Sequence, residues 1–487
     1  MSEGPAWSGP GELPAGAVVP QHLVLILPST GEFDSRSYRI ARELLGRGHR
    51  VTMVARWQRG LATEELDPIG YRIIRVPVST EAGLPFPAVM SAGRRWIRAF
   101  HDWRVRRRRG SGPAAVPSAS SAPDRASAAP ASGTPTAAPS SGATVPPTAA
   151  TRRASAPRRA WSAMIRRLAI PLAIRSHIRS ARQLAPAGDL YHGMAYMGIP
   201  VALDLGRRAH VPVVYDARDI YLQARNLARA SRLARWYAAR SERGWAHRAD
   251  AVITVNDAYA TVIAESLRIP RPLVVMNCSY RFDPPTPRER RFHVQFDLDP
   301  SERIVLYHGG LFPHRGIEEL MTAIATIDGA TLVLMGYGVL EPEFRARAAE
   351  SGLAGRVRLM GAVPPADLLD WVACADVVAI PIQPSTLNHR LTTPNKLFEA
   401  MAAGVPSVVT DLPGMAPIVR ETGCGILVDP DAPSEIGDAI RTILALPPEE
   451  WEAWRRRCLQ AAHSTYNWET QVGRLLEVYG RLTGRPW

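Results

Sequence analysis

Twelve short runs rich in Val, Ile and Leu, separated by stretches of helical character, constrain this chain more than any other feature. In the first half they fall at 22–27, 51–55, 71–76, 190–192, 211–216 and 251–255; in the second they fall at 303–307, 330–335, 357–360, 377–380, 407–410 and 426–428. Many are continuous apolar runs, as parallel strands buried on both faces require. Residues 36–46 read as the first crossover helix, turned into the next run by Gly48, His49 and Arg50. Strand–helix alternation at this spacing predicts two doubly wound, Rossmann-like α/β domains. Such domains take ligands at the carboxyl ends of their strands, so the cleft between the two is the expected site.

The expected boundaries are a disordered N-terminus at 1–20, a first domain at 21–275, a second at 276–465, and a terminal helix at 466–487 that returns to the first. Residues 94–180 interrupt the first domain. Residues 94–188 hold 18 arginines against Asp102 and Asp124, a balance of +16 in a chain of net charge +14. The remainder is therefore near neutral, at −2. Residues 110–150 are Ala, Pro, Ser and Thr with almost no large apolar side chain, and are expected to stay disordered. On either side, 94–109 and 151–182 mix arginine with apolar residues at roughly helical spacing, with Pro171 expected to kink the second stretch. A basic amphipathic helix suits an anionic membrane surface. The same pattern also suits a solvated arginine face over a stripe packed on its own domain. Nucleic acid is the weaker partner, since no recognised nucleic-acid module accompanies the charge.

Four cysteines stand far apart with no C-x-x-C pair, which argues against a disulfide framework or zinc site and suits a reducing cytoplasm. The first 20 residues lack the basic start and apolar run of a signal peptide, and no segment is long and apolar enough to span a bilayer. The expected setting is cytoplasmic, with contact to the inner face of the membrane if the insert touches lipid.

Lys396 is the only lysine among 59 basic residues. It stands in Thr393-Pro394-Asn395-Lys396-Leu397-Phe398-Glu399-Ala400-Met401-Ala402-Ala403-Gly404, which reads as loop, short helix and stop. Asn395 is the expected N-cap and Gly404 fits just past the end. A helix N-terminus with free amides beside a lysine makes an anion site. Glu399, three residues on, shares its face. A cation for phosphate beside an acid for a hydroxyl is one way to hold a nucleotide; a surface ion pair is the plainer alternative. Tyr307-His308-Gly309-Gly310-Leu311-Phe312-Pro313-His314-Arg315-Gly316 follows a strand and opens a helix. There Gly309 and Gly310 permit close backbone approach, and Arg315 can fork to phosphate oxygens. Gly336 and Gly338, after the next strand, offer open backbone on which a base can rest, although a turn explains each glycine pair equally well.

These stretches resemble the retaining glycosyltransferases of family 4, which have the GT-B fold. The resemblance rests on YHGGLFPHRGIEEL, LVLMGYG, PNKLFEAMAAGVPSVVT and GCGILVDP, and less sharply on DSRSYRIARELLGRGHRVTMVA, DLYHGMAYMGIP, VVYDARDIY and ADAVITVNDAYA. It implies that the second domain binds a sugar nucleotide and the first binds the acceptor. Arg315 and Lys396 would hold the diphosphate and Glu399 the ribose, with backbone amides from Asn395 and Leu397. Gly31 would admit the diphosphate from the first domain, and His192 would stand near the reacting sugar. No metal or other cofactor is implied. Glu469 and the 468–482 helix would be the segment that crosses back. One departure is Leu391, where many members carry the first of two glutamates eight positions apart. Another is the first phosphate loop, where Gly310 and Arg315 replace a Gly-Arg and a later lysine, with one arginine lost. Asp216, Arg218 and Asp219 end another strand, either lining the acceptor side or pairing with one another. Two further readings are a nucleotide-sugar epimerase of the same architecture and a degenerate transferase that only binds, for which Leu391 is the best support.

Overall fold

A computed structural model describes residues 19–32, 34–79, 156–223, 231–429 and 432–487. By its internal contacts the chain divides into Met1–Val78 with Ile174–Trp487, and Ser79–Ala173. The first of these holds two sheets. One contains β1 (His22–Ile26), β2 (Arg50–Arg56), β3 (Glu64–Leu66), β4 (Arg72–Val76), β5 (Leu190–Met194), β6 (Val213–Asp216), β7 (Ala251–Thr254) and β8 (Leu273–Val274), in the order β3-β4-β2-β1-β5-β6-β7-β8. The other contains β9 (Arg303–Gly310), β10 (Ala330–Tyr337), β11 (Val357–Met360), β12 (Val377–Ile380), β13 (Ser407–Thr410) and β14 (Gly425–Val428), in the order β11-β10-β9-β12-β13-β14. Every pairing is parallel except β3 with β4. All twelve apolar runs coincide with strands. The two strands not foreseen carry little signal: β3 is three exposed residues on an antiparallel edge, and β8 is two residues long.

The helices that cover these sheets or carry the site are α1 (Ser35–Gly46), α2 (Ala156–Leu184), α3 (Ala195–Ala209), α4 (Arg232–Ala246), α5 (Ile317–Ile324), α6 (Leu387–Leu391), α7 (Asn395–Ala402) and α8 (Trp468–Thr483). Strand side chains alternate between faces. Leu23, Leu25 and Leu27 of the first sheet meet Ile40 and Leu44 of α1 and Trp468, Val472 and Leu475 of α8. Val24 and Ile26 meet Ile199 and Ala202 of α3 on the other face. In the second sheet, Ile304 and Leu306 share a core with Leu397 and Phe398 of α7, whereas Val305 and Leu332 share one with Ile317 and Leu320 of α5. Helix α8 thus leaves the second sheet to seal the first. Its Trp468 amide donates to the Ser279 carbonyl at 2.7 Å, and Glu469 accepts from the Arg281 amide at 3.2 Å.

The end of the expected insert is core. Ile174 and Ala181 of α2 are buried, and Ser180 Oγ donates to the Pro77 carbonyl at 2.8 Å. Helix α2 runs through Pro171, where a kink was expected. The stretches at 1–18 and 94–150 lie outside the described residues. Among the described residues no helix is long and apolar enough to cross a membrane.

One buried carboxyl couples the first domain to pH. Glu242 lies on the inner face of α4 and accepts from Tyr215 Oη at 2.8 Å. Burial pushes its pKa up from 4.5 to about 7, against the lowering effect of the Tyr215 hydrogen bond. The folded state therefore retains a proton that the unfolded chain loses. The stabilisation from this group is complete below about pH 4.5 and is lost as pH rises to about 7. Glu242→Gln should remove that slope, gaining on the order of 2–3 kcal/mol at pH 8 and little at pH 4, as read from denaturant melts across pH.

Candidate functional site

The site is built around the buried ammonium of Lys396. Pro394 is the N-cap of α7 and Asn395 its first residue, so Lys396 sits in the first turn. Lys396 is 9% exposed, and its Nζ makes no hydrogen bond. It lies 3.6 Å over the Tyr307 ring and close beneath Gly309, where an added Cβ would lie 3.8 Å from Nζ. Gly309 has φ +112°, a conformation that favours glycine. The nearest charges do not neutralise Lys396 fully. Burial lowers its pKa well below the ordinary lysine value, Arg315 lowers it further, and Glu399 opposes both. Arg315 is half-buried and joins none of the described ion pairs. Lys396 and Arg315 thus bring like charge close together, an arrangement that an anion would complete.

Glu399 is held from the strand side. His308 Nε2 lies 2.9 Å from Glu399 Oε2. Burial would raise the Glu399 carboxyl, but His308, Arg39 and Lys396 together hold it below the usual carboxylate range. Arg39 belongs to α1 of the first domain, and its Nη1 donates to the Asn277 carbonyl at 3.0 Å. The Asn277 side chain in turn donates to Ser35 Oγ at 3.1 Å and to Asn395 Oδ1 at 2.9 Å. Asn395 Nδ2 donates to Ser35 Oγ at 3.2 Å. The first residues of α1 and α7 therefore meet through the link between the domains.

Segment 387–393 is the other bridge. Asn388 Oδ1 accepts from the Ile220 amide at 2.9 Å and from Tyr259 Oη at 3.1 Å. Asn256 Nδ2 donates to the Leu391 carbonyl at 2.7 Å. Leu391 itself is buried in the apolar core of the first domain, beside the residues around Val24 and Ile26.

Several expected roles change on this geometry. Asn395 is not the N-cap; its side chain is spent on Ser35 and Asn277. The Leu397 amide donates to the Pro394 carbonyl at 3.1 Å and is not free for phosphate. Gly336 and Gly338 do not present open backbone for a base. An added Cβ on Gly336 would lie 1.9 Å from the Gly309 carbonyl oxygen, and one on Gly338 would lie 2.1 Å from that of Leu311. These glycines let the ends of β9 and β10 pack. Likewise the space beside Gly310 holds the Phe312 ring, 2.5 Å from an added Cβ. Gly31, at φ +88°, lies in the turn between β1 and α1.

His192 has no exposed surface. Its Nδ1 is 2.5 Å from Tyr479 Oη on α8, and its Nε2 is 3.4 Å from Asp216 Oδ2. Burial lowers its pKa, with Asp216 opposing. In this conformation it is enclosed between Tyr479 and Asp216. Asp216 is ion-paired with Arg36 at 2.5 Å, and Arg218 places one Nη 2.9 Å from both oxygens of Asp34. Burial alone would raise Asp216; Arg36, His192 and Arg218 reverse it and hold the carboxyl well below the usual range. Asp216 and Arg218 thus pair with Arg36 and Asp34, not with one another as one of the two sequence readings had it. Tyr307, His308, Arg39 and Asn277 carry the site without having been singled out.

Solved structures with the same arrangement of two facing domains include HepE of Anabaena bound to UDP, at TM-score 0.62 and 16% identity, covering 95% of this chain and 100% of that one. Sucrose-phosphate synthase of Thermosynechococcus elongatus superposes at TM-score 0.62 and 17% identity, covering 95% and 99%. The fold is GT-B. Within it, residues 302–445 match the family model described as glycosyl transferases group 1. A D-inositol 3-phosphate glycosyltransferase of Segniliparus rotundus is 32% identical over 193 residues, 38% of this chain and 41% of that protein. A GDP-mannose-dependent alpha-(1-6)-phosphatidylinositol monomannoside mannosyltransferase of Mycobacterium tuberculosis is 30% identical over 170 residues, 34% and 43%. The matches thus span less than half the length of these curated relatives. The matched GT-B domain is the one that carries Arg315, Lys396 and Glu399.

A buried ammonium without a hydrogen-bond partner costs stability. Lys396→Met keeps the length and the contact with Tyr307 while removing the charge. It should raise unfolding free energy by on the order of 1–3 kcal/mol in denaturant melts of ligand-free protein, the reverse of a usual core substitution.

Proposed function

We propose that this GT-B protein transfers a sugar from a nucleoside diphosphate to an acceptor hydroxyl with retention of anomeric configuration, as its resemblance to family 4 implies. The observation that carries the proposal is Lys396, buried, unpartnered and beside Arg315 at the carboxyl end of β9. The bond between the anomeric carbon and the β-phosphate oxygen breaks, with its electron pair left on oxygen. The acceptor oxygen bonds to that carbon and gives up its proton. Retention puts the acceptor on the face the phosphate leaves, so the departing phosphate is the nearest base for that proton. Lys396, Arg315 and the Asn395 amide at the start of α7 offset the charge that grows on phosphate, which is electrostatic catalysis without a metal in this proposal. Glu399, fixed by His308, takes the ribose hydroxyls.

Two relatives, an inositol phosphate and a phosphatidylinositol mannoside transferase, support an acceptor that carries inositol phosphate, whose lipid-linked form would be a cell-envelope glycoconjugate. An anionic membrane surface belongs to the same reading. With Ile174 and Ala181 buried, the segments left for it are 94–109 and the part of 151–182 before Ile174. A second reading, binding without turnover, is favoured by one observation: Leu391, where many relatives have a glutamate, is packed into the first domain.

Thermal-shift titration with UDP, GDP and ADP tests the donor site. One of them, at 100 times its dissociation constant, should add about 2.7 kcal/mol to stability, and Lys396→Met should lose that gain. No shift with any nucleotide in folded protein would sink the proposal. With the donor sugar and a hydroxyl acceptor, Arg315→Ala should lower kcat by about 10²–10³. Product anomeric couplings read by NMR decide retention, and nucleotide binding with no product on a broad acceptor screen would leave the binding-only reading.

A further inference from the structure

Helix α4 carries an outer face that the fold does not use. Leu233, Trp236 and Tyr237 are 73%, 61% and 50% exposed. At positions i, i+3 and i+4 they form one patch on the first turns of the helix. Arg232, Arg235 and Arg240 are exposed around it, and none of them joins a described ion pair. The only carboxylate of the helix, Glu242, is turned inward onto Tyr215. The inner face is closed by Ala238, Glu242 and Ala246. The outer face therefore combines large apolar side chains, two of them aromatic, with positive charge and no negative charge.

That composition selects among occupants. A second copy packed face to face would bring two arginine clusters together. An apolar protein surface would leave the guanidinium groups without partners. An anionic bilayer satisfies both halves, since the apolar side chains enter the boundary between headgroups and acyl chains while arginines meet lipid phosphates. Trp and Tyr suit that depth because their rings have an apolar body and a polar tip. Strands β6 and β7 are parallel neighbours, so the helix between them begins at the carboxyl edge of the sheet. Its exposed first turns thus lie on the edge that also carries Arg218 and the Ile220 contact to Asn388.

We infer that the Leu233–Trp236–Tyr237 face of α4, ringed by Arg232, Arg235 and Arg240, docks the protein on an anionic phospholipid surface. This assigns membrane contact to a folded helix of the first domain, separate from the arginine-rich insert. It holds whether or not the chain transfers sugar.

The test uses full-length protein with Trp236→Cys labelled by an environment-sensitive nitrobenzoxadiazole dye. The four native cysteines are buried, and Val294→Cys, at an 84% exposed position on the second domain, serves as control. Vesicles of phosphatidylcholine alone are compared with equal parts of phosphatidylcholine and phosphatidylglycerol. Emission at 236 should shift to the blue and brighten with the anionic vesicles only, while the label at 294 stays unchanged. Leu233→Ser with Trp236→Ser should weaken co-sedimentation at least about tenfold with melting temperature unchanged, because both side chains are exposed in the fold. Sedimentation with no change at 236 would assign binding elsewhere and overturn the inference. So would equal binding to both vesicle types, a change at 236 that follows protein concentration without vesicles, or no sedimentation.

Discussion

An ammonium buried without a hydrogen-bond partner is a standing cost, and much of the second domain is arranged to hold one in place. Lys396 rests on Tyr307 from one side and under Gly309 from another, so the end of β9 is shaped around it. A Cβ on Gly336 would strike the Gly309 carbonyl, and thus the neighbouring strand has to end in glycine as well. The cation is not matched by its surroundings. Arg315 adds like charge, and the Glu399 carboxylate is already engaged by His308. A fold selected for stability alone would place an apolar residue at this position. The arrangement makes sense if the missing partner is a ligand whose negative charge arrives from outside.

The same helix ties the two domains together. The N-terminal ends of α1 and α7 carry partial positive charge and would repel if left facing each other. Asn277 and Asn395 place amide oxygens and a shared serine hydroxyl between them, which softens the repulsion and fixes the approach. Arg39 connects this junction to Glu399 through the field it exerts on that carboxylate. Both domains therefore contribute charge to one place, although the residues that hold ligand-facing cations all lie on the second.

Much of this was legible in sequence, for physical reasons that can be stated. Apolar runs buried on both faces announce parallel strands, and twelve of fourteen strands were found that way; β3 is exposed and β8 is too short to carry a signal. A lone lysine in the first turn of a short helix marked the position that the structure buries without a hydrogen-bond partner. The His308–Glu399 pair was within reach of the period of two in β9, since His308 shares a face with Ile304 and Leu306, against which α7 packs. By contrast, Asn277 and Arg39 act across separations of 118 and 238 residues, which no local pattern encodes. The surroundings of His192 were not legible, because a histidine ending a strand looks the same in sequence whether it faces a cleft or a helix. Tyr479, which closes on it, comes 287 residues later.

Leu391 shows how packing and chemistry trade at one position. Its side chain is part of the first domain's core, and its carbonyl is held by Asn256. A glutamate placed there in this conformation would bring a carboxylate into the apolar core of the first domain, and would either be protonated or force segment 387–393 off that domain. The leucine belongs to that core. It is an apolar anchor that, with Asn388 and Asn256, fastens the segment leading into α7 to the opposite domain. The position of Lys396 relative to the first domain then depends on that anchor, so the departure at 391 bears on how the two domains meet around Lys396.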